Sequence, residues 1–170
     1  MRRLKKILFS IGITLLLYGY LSRILKIYFF WESKTIGWII LFIALLVFLI
    51  ELFIIKKRNG QKIIGVTIGI CFLTLGLFII PIVVTKIRYS DAYQATIEYM
   101  SSNSEIKADI GNIKGFGLIP IGSVEVNSIN GALSGTARLE IIVKGDKKYK
   151  DITVNLRKSP DTSWTITSTE

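Results

Sequence analysis

The sequence holds no histidine, one cysteine (Cys71) and two methionines (Met1 and Met100) in 170 residues. A single copy therefore cannot assemble the usual nitrogen and sulfur metal sites, a Ser-His-Asp triad, a Cys-His pair or an internal disulfide. Carboxylates, lysines and hydroxyls are the only reactive groups left, so no metal, no cofactor and no catalytic residue is expected, and the chain is read as a non-enzyme. What it has in excess is apolar. Hydrophobic residues make up 51% and mean hydropathy is +0.51, which places part of the chain in a lipid bilayer.

The formal charge of +10 is unevenly placed. Half of the 22 basic side chains precede residue 86, where Glu32 and Glu51 are the only acids; the other half are balanced by the remaining acids. The excess clusters beside apolar runs, as topology signals do, and does not form a stripe that would track phosphates. No nucleic-acid partner is expected.

The membrane region is assigned to residues 1–85, with helices at about 7–30, 36–55 and 63–84. At 1.5 Å per residue each run can cross about 30 Å of hydrocarbon, and only a helix pairs all the backbone groups of a lone segment there. Arg23 and Lys26 interrupt the first run near its far end, where their stems can carry the charge to the headgroups. The opening MRRLKK also suits a secretory signal, but Leu17 to Ser22 offers no small-residue cleavage site, so a retained helix is expected. Basic residues before the first run and at Lys56, Lys57, Arg58 and Lys62 outnumber those between the first two runs. The amino terminus is accordingly expected in the cytoplasm and everything after Val84 outside. Tyr28, Phe29, Phe30, Trp31 and Trp38 would then form an outer aromatic belt. Glu51 is expected to snorkel toward Lys56, Lys57 and Arg58, and Cys71 to be buried as a small apolar residue. Gly65 and Gly69, four apart, are the candidate helix-packing pair, either within the three-helix unit or in a homo-oligomer through the third helix.

Residues 86–170 read as a small exported α+β domain. Ser90-Asp91 starts a helix whose Ala92, Tyr93, Thr96, Ile97 and Met100 recur at helical spacing. Ser104-Glu105 starts a shorter one that ends at Gly111. Gly115 to Pro120 reads as a turn-rich connection, and its glycines are not in dinucleotide-binding order. Beyond Ile121 the pattern alternates. Asn130-Gly131 is a two-residue hairpin signal, and Leu133, Gly135, Ala137, Leu139, Ile141 and Val143 share one face of the following run. Ile152, Val154 and Leu156, then Trp164 and Ile166, repeat the arrangement. The expected fold is two helices packed on one face of an antiparallel meander of four or five strands, with Thr136 and Arg138 on the open face that a partner would meet.

Ile110-Gly111-Asn112-Ile113, Gly135-Thr136-Ala137-Arg138-Leu139, Gly145-Asp146-Lys147, Val154, Lys158 and Trp164 together resemble the domain of the cytochrome oxidase complex assembly protein 1 family, over about residues 90–168. That domain is similar to one in a mitochondrial presequence translocase subunit. Two departures stand out: proline is missing after Gly111, and Lys148 and Lys150 occupy positions where glycines are usual. The resemblance implies structural roles for Gly111, Gly135, Ala137, Leu139, Gly145, Lys147 and Trp164. It also implies a non-catalytic partner in oxidase assembly, and three spans without a transit peptide point to a bacterial cytoplasmic membrane.

The leading functional expectation is an interaction protein whose exported domain binds another membrane protein, and the resemblance makes it an assembly factor for a respiratory oxidase. A membrane-anchored small-molecule or lipid sensor is the alternative, and a ligand cavity lined by Tyr93, Ile97 and Trp164 would support it. An enzyme using Asp109, Glu125 or Lys158 ranks third.

Overall fold

The structure is a computed structural model that describes the chain apart from Met1, Asn130, Gly131 and Asp161 and the side chains of Arg2, Ile129 and Ala132. Two compact units divide between Ile82 and Val83. Three helices, α1 (Arg2–Ile24), α2 (Ser33–Arg58) and α3 (Ile64–Arg88), are long and apolar enough to cross a membrane.

In the first unit α1 and α2 pack as an antiparallel hairpin. Helix α1 ends at Ile24, short of the Phe30 expected from hydropathy, because the intervening residues reverse the chain. Lys26 and Phe30 adopt left-handed backbone there, with φ of 55° and 46°, a conformation uncommon outside glycine. The turn also claims two side chains expected at the headgroups. Arg23 Nη1 donates to the carbonyls of Gly19 and Trp31, both at 3.0 Å, and its guanidinium lies 4.9 Å from the Trp31 ring. Trp31 is buried, and its Nε1 donates to the Ile27 carbonyl at 2.8 Å. These two side chains close the hairpin.

Glycines set how closely the pair approaches. A β-carbon on Gly37 would lie 2.9 Å from the backbone nitrogen of Leu16 and 3.0 Å from the carbonyl oxygen of Gly12. Only residues without side chains allow backbones this near. At the other end Glu51 Oε2 meets Lys5 Nζ of α1 at 2.5 Å. This ion pair thus forms across the helix pair, with a cation of the facing helix.

The second unit contains α4 (Asp91–Ser102), α5 (Ser104–Ile110) and one antiparallel sheet: β1 (Ile113–Phe116), β2 (Ile121–Ile129), β3 (Ala132–Gly145), β4 (Tyr149–Lys158) and β5 (Trp164–Thr169). Ser90 caps α4 by accepting from the Tyr93 N–H at 3.2 Å, and Asn103 caps α5 by accepting from the Ile106 N–H at 3.0 Å; each bond satisfies a donor that a helix start leaves free. Strands β2 to β5 form a meander. The connection expected at 115–120 is partly a strand instead, since β1 pairs with Val143–Gly145 at the far end of β3. Strands β1 and β2 therefore share one edge of β3, and β4 takes the other. The Asn130-Gly131 turn lies outside the described residues, although Ile129 pairs with Ala132 on either side of it.

Helix α4 packs on β5 and α5 on β3. Between helices and sheet, Met100, Ile110, Leu139, Val143 and Val154 are fully buried. Thr96, equally buried, satisfies its hydroxyl by donating to the Ala92 carbonyl at 2.8 Å. The fold is three long apolar helices followed by two helices on a five-stranded open sheet.

Candidate functional site

The residues singled out in the carboxyl-terminal unit fall into three places. Ala137 and Leu139 point from β3 into the core, and Trp164 covers Gly135 on the same face. Gly111, Gly145 and Lys147 meet elsewhere, although they come from sequence stretches more than thirty positions apart. There the β3–β4 turn is tied to the end of α5. The backbone N–H groups of Lys147 and Gly111 donate to the carbonyls of Ile110 (3.2 Å) and Lys107 (2.9 Å), and Asp146 N–H donates to the Asn112 carbonyl at 3.0 Å. The Asp146 carboxylate accepts from Asn112 N–H at 2.9 Å and from Asn112 Nδ2 at 3.1 Å. It occupies the position a Gly111 side chain would need, and Gly111 has φ of 85°, which suits glycine alone. A β-carbon on Gly145 would collide with the Ile110 carbonyl. All of this is joinery between helix and turn.

Lys148 and Lys150 complete that joint. Asp109 of α5 pairs with Lys148 and, at 3.2 Å, with Lys150. The hydrogen bond from Lys148, then that from Lys150, holds the Asp109 carboxyl below its ordinary value of 3.8. The cations that replace the expected glycines are thus anchored to the preceding helix. A cleft of about 480 Å³ beside this pair is lined by Glu105, Asp109, Lys150 and Glu170 together with Ile106 and Ile152.

The three residues weighed for catalysis are dispersed. Glu125 is directly opposite Thr136 on the open face, and Lys158 is opposite Gly135 on the helix-facing side. Asp109 meets Lys150, eight residues from Lys158 along β4 and so about 26 Å away at the rise of a strand. Among the described residues no group of three Cys, Asp or Glu side chains could hold a metal ion. Tyr93 and Trp164 are buried in the core with Ile97 packed against them, so core side chains fill the place where a sensor cavity was expected.

Compared with protein-family models, curated proteins and solved structures, the chain matches none.

The open sheet face carries Ser123, Glu125, Thr136, Arg138, Thr153 and Asn155, a mixed and solvated set. The other face is not wholly covered. Helices α4 and α5 cover β3 and β5, while at the β2 flank Val126 is 51% and Leu133 44% exposed, on the same side as the core residue Ala137. Among the described residues β2 pairs only with β3, so its outer edge presents unpaired backbone donors and acceptors. Alternation alone marks Leu133 as a core position. The pattern does not say how far two short helices reach across the sheet.

In the membrane unit, a β-carbon on Gly65 would meet nothing within 4 Å, and one on Gly69 would lie 3.1 Å from Leu49 Cδ1. The glycines at the tight contact are Gly12, Gly19 and Gly37. Gly12 and Gly19 lie seven apart along α1, which is the signal the sequence offers, and Gly37 stands on α2. Cys71, expected to be buried, lies on an exposed face of α3.

Proposed function

We propose that this chain is a non-catalytic membrane-anchored interaction protein whose carboxyl-terminal domain receives an extended segment of another membrane protein along β2. The observation that carries this reading is the β2 flank, where a free strand edge adjoins exposed Val126 and Leu133. Main-chain hydrogen bonds would supply affinity, and the apolar side chains on one face would supply selection. The distribution of basic residues favours a cytoplasmic amino terminus and an exported domain. The resemblance to the cytochrome oxidase complex assembly protein 1 family suggests a respiratory oxidase under assembly, in a bacterial cytoplasmic membrane, as the first partner to test.

The experiment is photo-cross-linking of the full chain in its native membrane, with the reactive group at Val126 or at Arg138, followed by mass-spectrometric identification of the adduct. A discrete adduct with a membrane protein from Val126, absent from Arg138, supports the reading. Adducts only from Arg138 move the contact to the open face, and no adduct from either position removes the interaction role.

A further inference from the structure

We propose that the groove between α1 and α2 near the start of α1 binds one anionic phospholipid of the adjacent leaflet. The groove has a volume of about 330 Å³ and is lined by Lys5, Lys6 and Phe9 of α1 and by Leu41, Leu45 and Phe48 of α2, with no other charged residue in its wall among the described residues. The lysines mark its headgroup end, since Lys5 Nζ lies 5.3 Å from the centre of the Phe48 ring. Leu41 marks the deep end, against Gly12. Seven residues separate Phe48 from Leu41, so the apolar wall runs about 10 Å along the helix. Because both helices are long and apolar enough to cross a membrane, this wall lies at hydrocarbon depth and accepts an acyl chain.

The charges choose the headgroup. Lys5 is held by Glu51, whereas Lys6 has no carboxylate partner among the described residues. Lys5, Lys6 and Glu51 together leave positive charge, to which Arg3 of the same helix start adds, and its sign matches the anionic phosphodiester. A zwitterionic lipid adds an ammonium group beside two lysines and loses that match. One molecule that carries an acyl chain and a lone anionic head about a turn apart satisfies both halves of the groove, and basic residues between spanning helices are a recurrent means of holding such lipids.

The test is native mass spectrometry of the full chain in detergent, with phosphatidylglycerol or phosphatidylcholine of identical acyl chains added. Phosphatidylglycerol should remain bound and phosphatidylcholine should not. Lys6→Gln should weaken retention about fivefold, as expected for one cation at a membrane surface, and Lys6→Arg should restore it. Leu45→Trp should expel the lipid by filling the groove without changing charge. Lys57→Gln is the control, because Lys57 lies over Phe53 and not in the groove wall. Equal retention of the two lipids overturns the proposal, as does an equal loss with Lys57→Gln or retention unchanged in Leu45→Trp. A dimer that Leu45→Trp dissociates assigns the groove to a second copy and also overturns it.

Discussion

The indole of Trp164 lies over Gly135, close enough that a β-carbon on Gly135 would stand 3.0 Å from Cη2 of the ring. A residue of the last strand thus rests on a position of β3 that has no side chain, and Trp164 is only 8% exposed. Trp164→Ala should remove this cover and cost about 3 to 5 kcal/mol, the usual range for deleting a buried aromatic ring. Arg138→Ala, on the open face, should stay within about 0.5 kcal/mol. Hydrogen exchange of the β4 and β5 amides in the full chain measures both. Greater loss of protection in Arg138→Ala than in Trp164→Ala would reverse the assignment of faces.

Gly111 should tolerate no other residue. Its backbone lies at φ of 85° and ψ of −162°, a region that is essentially glycine-only and costs about 1 to 3 kcal/mol for a residue with a β-carbon. Gly111→Ala must also displace Asp146. The expected result is faster exchange at Lys147 and Asn112 before any effect on β2, and uniform protection would refute the joint.

The pair of Asp109 with Lys148 and Lys150 sets an acid dependence. The carboxyl titrates below its ordinary value when folded, so the unfolded chain binds its proton more readily as pH falls. The stabilisation is fully present above that ordinary value and is lost as pH drops through the lowered one. Asp109 is exposed, so the effect should be small and weakened by salt. In Asp109→Asn the α5 amides should show less loss of protection across the acid range than in the unsubstituted chain; identical acid profiles would show that the pair adds nothing.

Gly37→Leu should force α1 and α2 apart, because its added side chain meets backbone on the facing helix. Gly65→Leu points into open space within one chain and should leave the monomer intact. Thermal inactivation in detergent, read by size exclusion, separates the two. Should Gly65→Leu instead abolish a dimer, Gly65 and Gly69 serve contact between copies.

Reporter fusions after Phe29, Gly60 and Lys114 should report outside, inside and outside. The first two junctions lie in the connections between the spanning helices and the third lies beyond α3. An inside signal at Lys114 refutes an exported domain.

Much of this architecture was legible because its signals are local. Ser90 and Asn103 are cap residues, Gly111 ends a helix, and alternation from Leu133 to Val143 assigns a face without any knowledge of partners. What stayed hidden depends on pairing at a distance. Strand β1 looks like a connection because its partner on β3 comes much later in the chain, and hydropathy does not show the α1–α2 turn because Leu25 to Trp31 is apolar or aromatic apart from Lys26. For the same reason the sequence does not show that Glu51 meets Lys5 on the facing helix. Among the candidate site residues, the motif glycines can be read as structural, whereas the incomplete cover over β2 cannot, since alternation carries no information on the reach of α4 and α5.

Because β1, β2 and β4 all pair with β3, the order of synthesis matters. Helices α4 and α5 and strands β1 and β2 leave the ribosome before any strand they can rest on, and Ile113 finds its partner only once Gly145 has been made. Until then the nascent domain has apolar residues with no cover and an incomplete sheet, a state prone to wrong association. The preceding spanning helices are made first, so that half-made chain waits tethered to the membrane. A tether ahead of a sheet completed late fixes where the domain does its folding.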